Sequence, residues 1–234
     1  MKVSTGLLTL SAVLASSNAS PRPAKRDNPQ GVDISAYQGT VDFDSLVANG
    51  LSFVYIKATE GTTYVDENFS DYYEGATNAG LIRGGYHFAH PSSSSGATQA
   101  NYFLANGGGW SGDGITLPGA LDIEYNPSGD ECYGLSASEM VSWVQDFSDT
   151  YYSNTGVYPV IYTTTDWWTT CTGNSAAFAS TNPLWIARYS SSIGTLPAGW
   201  GYTTFWQYAD SGANPGDQDE FNGSLQGLKN LALG

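Results

Sequence analysis

The sequence predicts an α/β fold: a modified, TIM-like (β/α) barrel with eight strands, five regular βα units and a helix-poor last third. Apolar runs of strand length alternate with helical stretches over most of the chain, which is typical of βα units around a parallel sheet. Acidic and aromatic residues recur at the ends of several of these runs. A chain of 234 residues can build one large barrel domain, and we expect one domain over residues 27–234.

The regular units occupy the first two thirds of that domain. Strands are expected over residues 31–35, 52–58, 84–89 and 117–125, and helices over residues 43–50, 66–79, 96–106 and 136–153. Asp66 can cap the second helix and Gly80 can end it. Ser136 and Glu139 form a capping box at the start of the longest helix. The helical segments therefore have definite start and stop signals.

The last third is expected to contain mainly strands. Three apolar runs, over residues 159–163, 183–188 and 203–207, are followed by a short strand near Phe221 and a helix over residues 225–231. The segments between these runs are rich in Ser, Thr and Gly and poor in helix formers. This completes a count of eight strands.

The amino-terminal residues are not expected to belong to the domain. Lys2 precedes an apolar run over residues 6–15, and Ser17 and Ala19 fit the small-residue cleavage site of a secretory signal peptide over residues 1–19. Residues 20–26, SPRPAKR, are interpreted as a short pro-segment that ends in a dibasic pair, although such a pair can occur by chance. We therefore expect a secreted, extracellular protein.

Charge and cysteine content agree with that environment. Residues 1–26 contain four of the eight Lys and Arg residues and none of the 22 acids, so residues 27–234 have a net charge of −18. Such a surface repels nucleic acid and anionic membranes, and neither is an expected partner.

Cys132 and Cys171 most simply form one disulfide in a secreted chain. Asn68 and Asn222 begin N-glycosylation sequons.

The candidate site is centred on the run Asp122-Ile123-Glu124. Residues i and i+2 of a strand share a face, so the two carboxylates project together about 6.5–7 Å apart at their Cα atoms, with Ile123 packed behind. Mutual repulsion would raise the pKa of one of them, which suits a general acid. A single D-x-E run is, however, more often a solvated pair or half of a salt bridge.

Further acids and aromatics at other strand ends change this interpretation. The acids are Asp33 in the first strand, Glu60 after the second, and Asp217 and Asp219, which are expected to flank the last. The aromatics are Tyr86, Tyr162, Trp185 and Trp206. Each aromatic alone is more often core packing. Carboxylates surrounded by aromatic rings nevertheless indicate a sugar site, because active sites of barrels lie at the carboxyl ends of the strands.

With these residues assembled, the chain resembles the family-25 glycoside hydrolases, the Chalaropsis-type lysozymes or N-acetylmuramidases. Seven blocks over residues 31–231 carry the resemblance: GVDISAYQG, FVYIKATEG, IRGGYHFAHP, LPGALDIEY, YPVIYT, PLWIARY and GDQDEFNG. The signal peptide, dibasic segment and sequons indicate a fungal secreted member. The resemblance implies bacterial peptidoglycan as the substrate, and we expect a monomer without cofactor or metal.

The resemblance also implies roles for individual residues. Glu124 would be the proton donor and Asp122 the second carboxylate, while Asp33 and Asp217 complete the acidic cluster; Asp219 is the alternative match in the last block. Glu60 lies in the block KATEG and would contact substrate. Asp122 could be a nucleophile, a base or a clamp for the substrate's 2-acetamido group. We favour the clamp, because muramic acid carries that group.

Three other interpretations are weaker. His87 and His90 have H-x-x-H spacing, but residues i and i+3 of a strand face opposite ways and the chain has no third histidine for a metal; hydrogen bonding at a strand end explains them better. A serine–histidine–aspartate triad lacks a G-x-S-x-G elbow. A carbohydrate-binding barrel that has lost catalysis stays open as the alternative, although the intact acids argue against it.

Overall fold

The structure, a computed structural model, describes residues 28–234, so the predicted signal peptide and pro-segment lie outside the described residues. The strands in this part of the chain are β1 Gln30–Ile34, β2 Leu51–Glu60, β3 Tyr64–Val65, β4 Ile82–Phe88, β5 Ala120–Asp122, β6 Val160–Thr163, β7 Leu184–Ala187, β8 Phe205–Ala209 and β9 Asp217–Phe221. The α-helices are α1 Phe43–Ala48, α2 Phe69–Ala79, α3 Gly96–Ala105, α4 Ala137–Thr155, α5 Thr165–Thr172 and α6 Leu225–Leu233.

Eight of these strands close into a barrel. The order is β1-β9-β8-β7-β6-β5-β4-β2, and a parallel pairing of β1 with β2 completes the circle, while β3 forms a hairpin at the end of β2. The strand β9 is antiparallel to both neighbours, whereas the other barrel pairings are parallel. The predicted eight-stranded barrel is confirmed, with β9 reversed.

The reversal of β9 matters for the site. Its first residue, Asp217, pairs with Asp33 of β1, so the beginning of β9 lies at the carboxyl end of the parallel strands. Both Asp217 and Asp219 belong to the strand, instead of flanking it as expected.

Alternating side chains divide the core into an interior and an outer layer. Phe53, Tyr55, Trp185 and Phe205 fill the interior, where the rings of Tyr55 and Trp185 stack at 4.8 Å between centroids. Outside, the sheet packs against the helices through buried residues such as Phe147 of α4. This aromatic filling blocks the interior of the barrel, and the pocket above it opens at the carboxyl end of the parallel strands.

The structure corrects three local expectations. Of the strand predicted over residues 117–125, only the central part, β5, forms a strand. Asp66 is not a helix cap, because α2 begins after Asn68; the carboxylate of Asp66 accepts hydrogen bonds from the backbone of Ala36 and Asn68. The helix α5 was not expected.

The helix α5 forms in spite of its poor composition, TDWWTTCT. Thr164 caps it through the backbone N–H of Trp167, and Trp167 and Trp168 bury its inner face completely. The predicted disulfide is present between Cys132 and Cys171, and Cys171 lies in this helix. Burial and cross-linking outweigh weak helix propensity here. This helix supplies the fifth βα unit, after β6.

Each helix in residues 28–234 is too short or too polar to span a bilayer.

Candidate active site

Asp122 and Glu124 extend from the end of β5 into the barrel. The Asp122 carbonyl accepts from the backbone N–H of Ala89, and the N–H of Ile123 donates to the Tyr162 carbonyl at 3.0 Å, so the extended backbone continues past the strand. Ile123 is fully buried in the outer layer. The alternation predicted from the sequence therefore holds, and both carboxylates line one pocket of about 210 Å³.

Strands β1 and β9 bring three further acids to the same place. Asp33 and Asp217 line the pocket with Asp122 and Glu124. Asp219 shares their side of β9 but lies deeper; it is completely buried and accepts a hydrogen bond of 2.9 Å from Trp185 Nε1. Of the two alternatives for the last block, Asp217 is thus the one that borders the pocket, and Asp219 supports it from below.

Burial and like charge raise the pKa values of the acids in the pocket. Burial raises the pKa of Glu124 to about 7. Burial and then the charge of Glu124 raise the pKa of Asp122 well above its ordinary value. Burial and the charge of Asp217 raise the pKa of Asp33 to about 7. The pocket therefore retains protons at a pH where ordinary carboxyls have lost theirs.

Gln207 connects the acids, and sequence reasoning missed it. Its Nε2 donates to Asp33 Oδ2 at 2.7 Å and to Asp217 Oδ2 at 3.2 Å. Its Oε1 accepts from the hydroxyls of Tyr162 at 2.8 Å and Tyr189 at 3.1 Å. The pairing of β8 with β9 shifts by one residue directly after Gln207, and bulges of this kind commonly re-aim side chains beside active sites. A glutamine in a buried strand, beside no charged neighbour, gave no signal in the sequence.

The predicted aromatics divide according to the face of their strand. Tyr86, Tyr162 and Trp185 line the acid pocket. Trp206 does not, because it precedes the inward-facing Gln207 by one residue and so faces the outer layer, where its Nε1 donates to the Arg188 carbonyl at 2.9 Å. The sequence placed Trp206 at the correct end of the barrel but on the wrong face.

Glu60 lies at the edge of the pocket instead of inside it. Its carboxylate pairs with Lys57 Nζ at 2.6 Å and with His90 Nε2 at 2.8 Å. Burial would raise the pKa of Glu60, but the hydrogen bonds from His90 and Lys57 outweigh that effect and lower it. Lys57 borders both the acid pocket and an adjoining depression that contains Glu60, Tyr37 and Tyr64.

The two histidines make hydrogen bonds at the strand end, as the simpler interpretation expected. His87 is completely buried between Thr59 Oγ1 at 2.7 Å and Gln99 Oε1 at 2.9 Å. Burial lowers its pKa to about 4, so it is neutral near pH 7. Within residues 28–234, no three His, Cys, Asp or Glu side chains are grouped so that they could hold a metal ion.

The two sequon asparagines differ in exposure. Asn222 is exposed at the end of β9, and Asn68 is half-buried before α2, where its Nδ2 donates to the Tyr72 hydroxyl at 3.2 Å. Glycosylation of either stays a prediction.

Asn222 also borders a hollow of about 400 Å³ at the other end of the barrel, which no carboxylate, histidine, lysine or arginine lines.

A closed barrel with four carboxylates in an aromatic-walled pocket at its carboxyl end has the composition of a glycoside hydrolase site. The sequence profile of the glycosyl hydrolases family 25 matches residues 32–217, and the chain belongs to this family. The expected family membership, and with it the expectation of an enzyme, is confirmed.

Relatives match along nearly their whole length. The N,O-diacetylmuramidase of a Chalaropsis species is 56% identical over 209 residues, which is 88% of this chain and 99% of the relative. The N,O-diacetylmuramidase of Arthroderma benhamiae is 52% identical over 237 residues and covers 100% of both chains. A solved structure of a muramidase from Acremonium alcalophilum is 63% identical, with a TM-score of 0.87 over 88% of this chain and 99% of that chain.

Proposed function

We propose that this protein is a secreted lysozyme that hydrolyses the β-1,4 bond between N-acetylmuramic acid and N-acetylglucosamine in bacterial peptidoglycan. The pair formed by Glu124 and Asp122 carries the proposal. Glu124 borders the pocket with a pKa raised to about 7, which keeps it protonated and able to donate under mildly acidic conditions. The muramidase names of the relatives agree with this substrate.

Glu124 would donate its proton to the oxygen of the leaving sugar as the glycosidic bond breaks. Asp122 would assist by orienting the 2-acetamido group, whose oxygen attacks the anomeric carbon. One observation supports this role: Asp122 Oδ1 is buried and accepts no hydrogen bond from residues 28–234, so it is available to a substrate N–H. Asp33 and Asp217, held by Gln207, would complete the charged wall around the reacting sugar.

The walls of the pocket fit a sugar ring. Tyr86 and Tyr162 place aromatic rings and hydroxyls beside the acids, and Trp185 packs against Tyr162. Secretion is supported by the signal-like residues 1–19 and by the disulfide, which persists in an oxidising compartment. A monomer that acts without cofactor, nucleic acid or membrane is part of the same proposal.

Clearing of a bacterial cell-wall suspension tests the proposal. The wild type should clear the suspension, and Glu124→Gln, which keeps the shape but cannot donate a proton in the same way, should lower the rate by at least about 1,000-fold. Mass spectrometry of the digest should find muramic acid at the new reducing ends. Reducing-end glucosamine would contradict the proposed bond, and binding to walls without clearing would favour the carbohydrate-binding alternative. A covalent adduct on Asp122 would contradict the clamp.

A further inference from the structure

Positive charge is scarce in this protein, and Arg188 differs from the other cations. Residues 28–234 contain 4 Lys and Arg: Lys57, Arg83, Arg188 and Lys229. Arg83 is buried, donates to Thr77 and Thr116, and stacks over the Tyr73 ring. Lys57 forms an ion pair with Glu60, and Lys229 lies on α6, beyond the far end of the barrel. Two cations thus have internal partners, and one is remote from the site.

Arg188 stands at the edge of the active site without an acidic partner. It follows β7 directly and, with Glu124, Tyr125 and Tyr189, lines a depression of about 340 Å³ that continues from the acid pocket. Its side chain is exposed, and no carboxylate among residues 28–234 forms a salt bridge with it. An unpaired guanidinium beside a pocket of acids is therefore available to a ligand.

The local structure holds this side chain in place. The backbone N–H of Arg188 donates to the Gln207 carbonyl at 3.0 Å, and its carbonyl accepts from Trp206 Nε1 at 2.9 Å. The guanidinium lies against Gly194, where an added Cβ would collide with Nη1. Gly194 also has a φ of +74°, so the loop both requires glycine and makes room for the arginine. Trp206, which faces out of the pocket, thus holds the backbone of Arg188, and the contact with Gly194 places the guanidinium.

We propose that Arg188 forms an anion subsite that binds a carboxylate of the peptidoglycan strand beside the bond that is cut. This inference rests on the proposed function and refines it. Muramic acid differs from glucosamine by a lactyl ether, which ends in a carboxylate or continues into a peptide that carries carboxylates. A guanidinium binds a carboxylate through two parallel hydrogen bonds. Because the acids elsewhere on the protein repel such groups, this cation determines where the anionic substituent lies.

The subsite is tested by measuring enzyme variants on peptidoglycan with and without free carboxylates. The variants are Arg188→Gln, Arg188→Lys and the remote control Lys229→Gln, and the substrates are solubilised peptidoglycan and the same material with its carboxylates converted to amides. Arg188→Gln should raise KM on the native substrate about tenfold, with a smaller effect on kcat, and Arg188→Lys should restore part of the affinity. On the amidated substrate, wild type and Arg188→Gln should be equal. Lys229→Gln should behave as wild type on both.

A third substrate separates the two sources of the carboxylate. Peptidoglycan stripped of its peptides by an amidase carries only lactyl carboxylates, which the hydrolysis frees; a persisting penalty from Arg188→Gln shows that the subsite accepts this group, and a lost penalty assigns the subsite to the peptide. Equal penalties on native and amidated substrate, or none on either, would overturn the subsite. If the wild type cleaved no peptidoglycan, the proposed function itself would fail, which is a separate result.

Discussion

Gln207 Nε2 lies 2.7 Å from Asp33 Oδ2 and donates a hydrogen bond to it inside the barrel. The same amide group reaches Asp217, and the amide oxygen accepts from two tyrosines, so the full hydrogen-bonding capacity of the side chain is used. A neutral donor between two carboxylates stabilises their ionised forms and lets them lie close together.

The first prediction concerns this contact. The hydrogen bond from Gln207 lowers the pKa of Asp33 against the raising effects of burial and Asp217. Gln207→Leu should therefore raise the pKa of Asp33 above about 7, and lower kcat/KM by about 10- to 100-fold, since a hydrogen bond to a charged group contributes about 1.5–3 kcal/mol. The carboxyl titration of Asp33 followed by NMR measures the shift directly.

Gln218→Leu is the matched control for that variant. Gln218 is also buried, but its Nε2 donates to the backbone carbonyls of Asn214 and Gly216 and to no carboxylate among residues 28–234. This variant should lose stability and leave the titration of Asp33 unchanged. An equal shift in both variants would mean that general loosening, and not the contact with Asp33, changes the pKa.

The second prediction is the alkaline limit of activity. If Glu124 is the proton donor, activity requires its protonated form and should fall as the pH rises through about 7. The charge of Lys57 lowers the pKa of Glu124, so Lys57→Met should move this limit to higher pH. The pH profile of kcat/KM measures this alkaline limit. In the control variant Lys229→Met the limit should stay where it is in the wild type. A limit that shifts downward in Lys57→Met would contradict the assignment.

The third prediction links the acids to stability. Glu124 and Asp33 have pKa values of about 7 in the fold, against 4.5 and 3.8 ordinarily. Between about pH 4 and pH 7 these two groups bind fewer protons in the unfolded chain than in the folded protein, so their contribution to stability falls as the pH rises; His87, whose pKa burial lowers to about 4, opposes this effect as one group against two. The loss is on the order of 3–4 kcal/mol for each group. Thermal unfolding should show a Tm that decreases from pH 4.5 to pH 7.5.

Substitutions separate this effect from other titrations. Glu124→Gln should raise the Tm at pH 7.5 by several degrees, at about 2–4 °C per kcal/mol, and the gain should disappear near pH 4. Glu131→Gln, at an exposed loop position, should change the Tm little at either pH. A Glu124→Gln variant less stable than the wild type at pH 7.5 would show that the buried carboxylate does not destabilise the fold.

The fourth prediction concerns the disulfide. Cys132 and Cys171 are 39 residues apart in sequence, and the bond ties the segment after Glu124 to α5. By the chain-entropy relation, the double variant Cys132→Ala/Cys171→Ala should lose about 4 kcal/mol of unfolding free energy in urea. Reduction of the wild type should cause a similar loss and leave the variant unaffected. A reductant effect on the variant would point to another cause.

The D-x-E run, the sequon positions and the outline of the barrel could be recognised in the sequence, because strand alternation and capping signals are local. The helix α5 could not, since its stability comes from buried tryptophans and a cross-link to a distant segment. Trp206 was misjudged for a related reason. A strand-end position is visible in the sequence, but which face points inward depends on the pairing register.

The sequence alone determined the family, the pair Asp122 and Glu124, and the acids at the ends of other strands, because these depend on residue identity and on a period of two along a strand. The tertiary structure decided what surrounds them. The closure of β1 on β2 and the reversal of β9 bring Asp33 and Asp217 to the pair. Gln207, directly before the shift in the pairing of β8 with β9, connects these two acids. Burial in that closed space, together with the charge of Asp217, raises the pKa of Glu124 into the range that a proton donor needs.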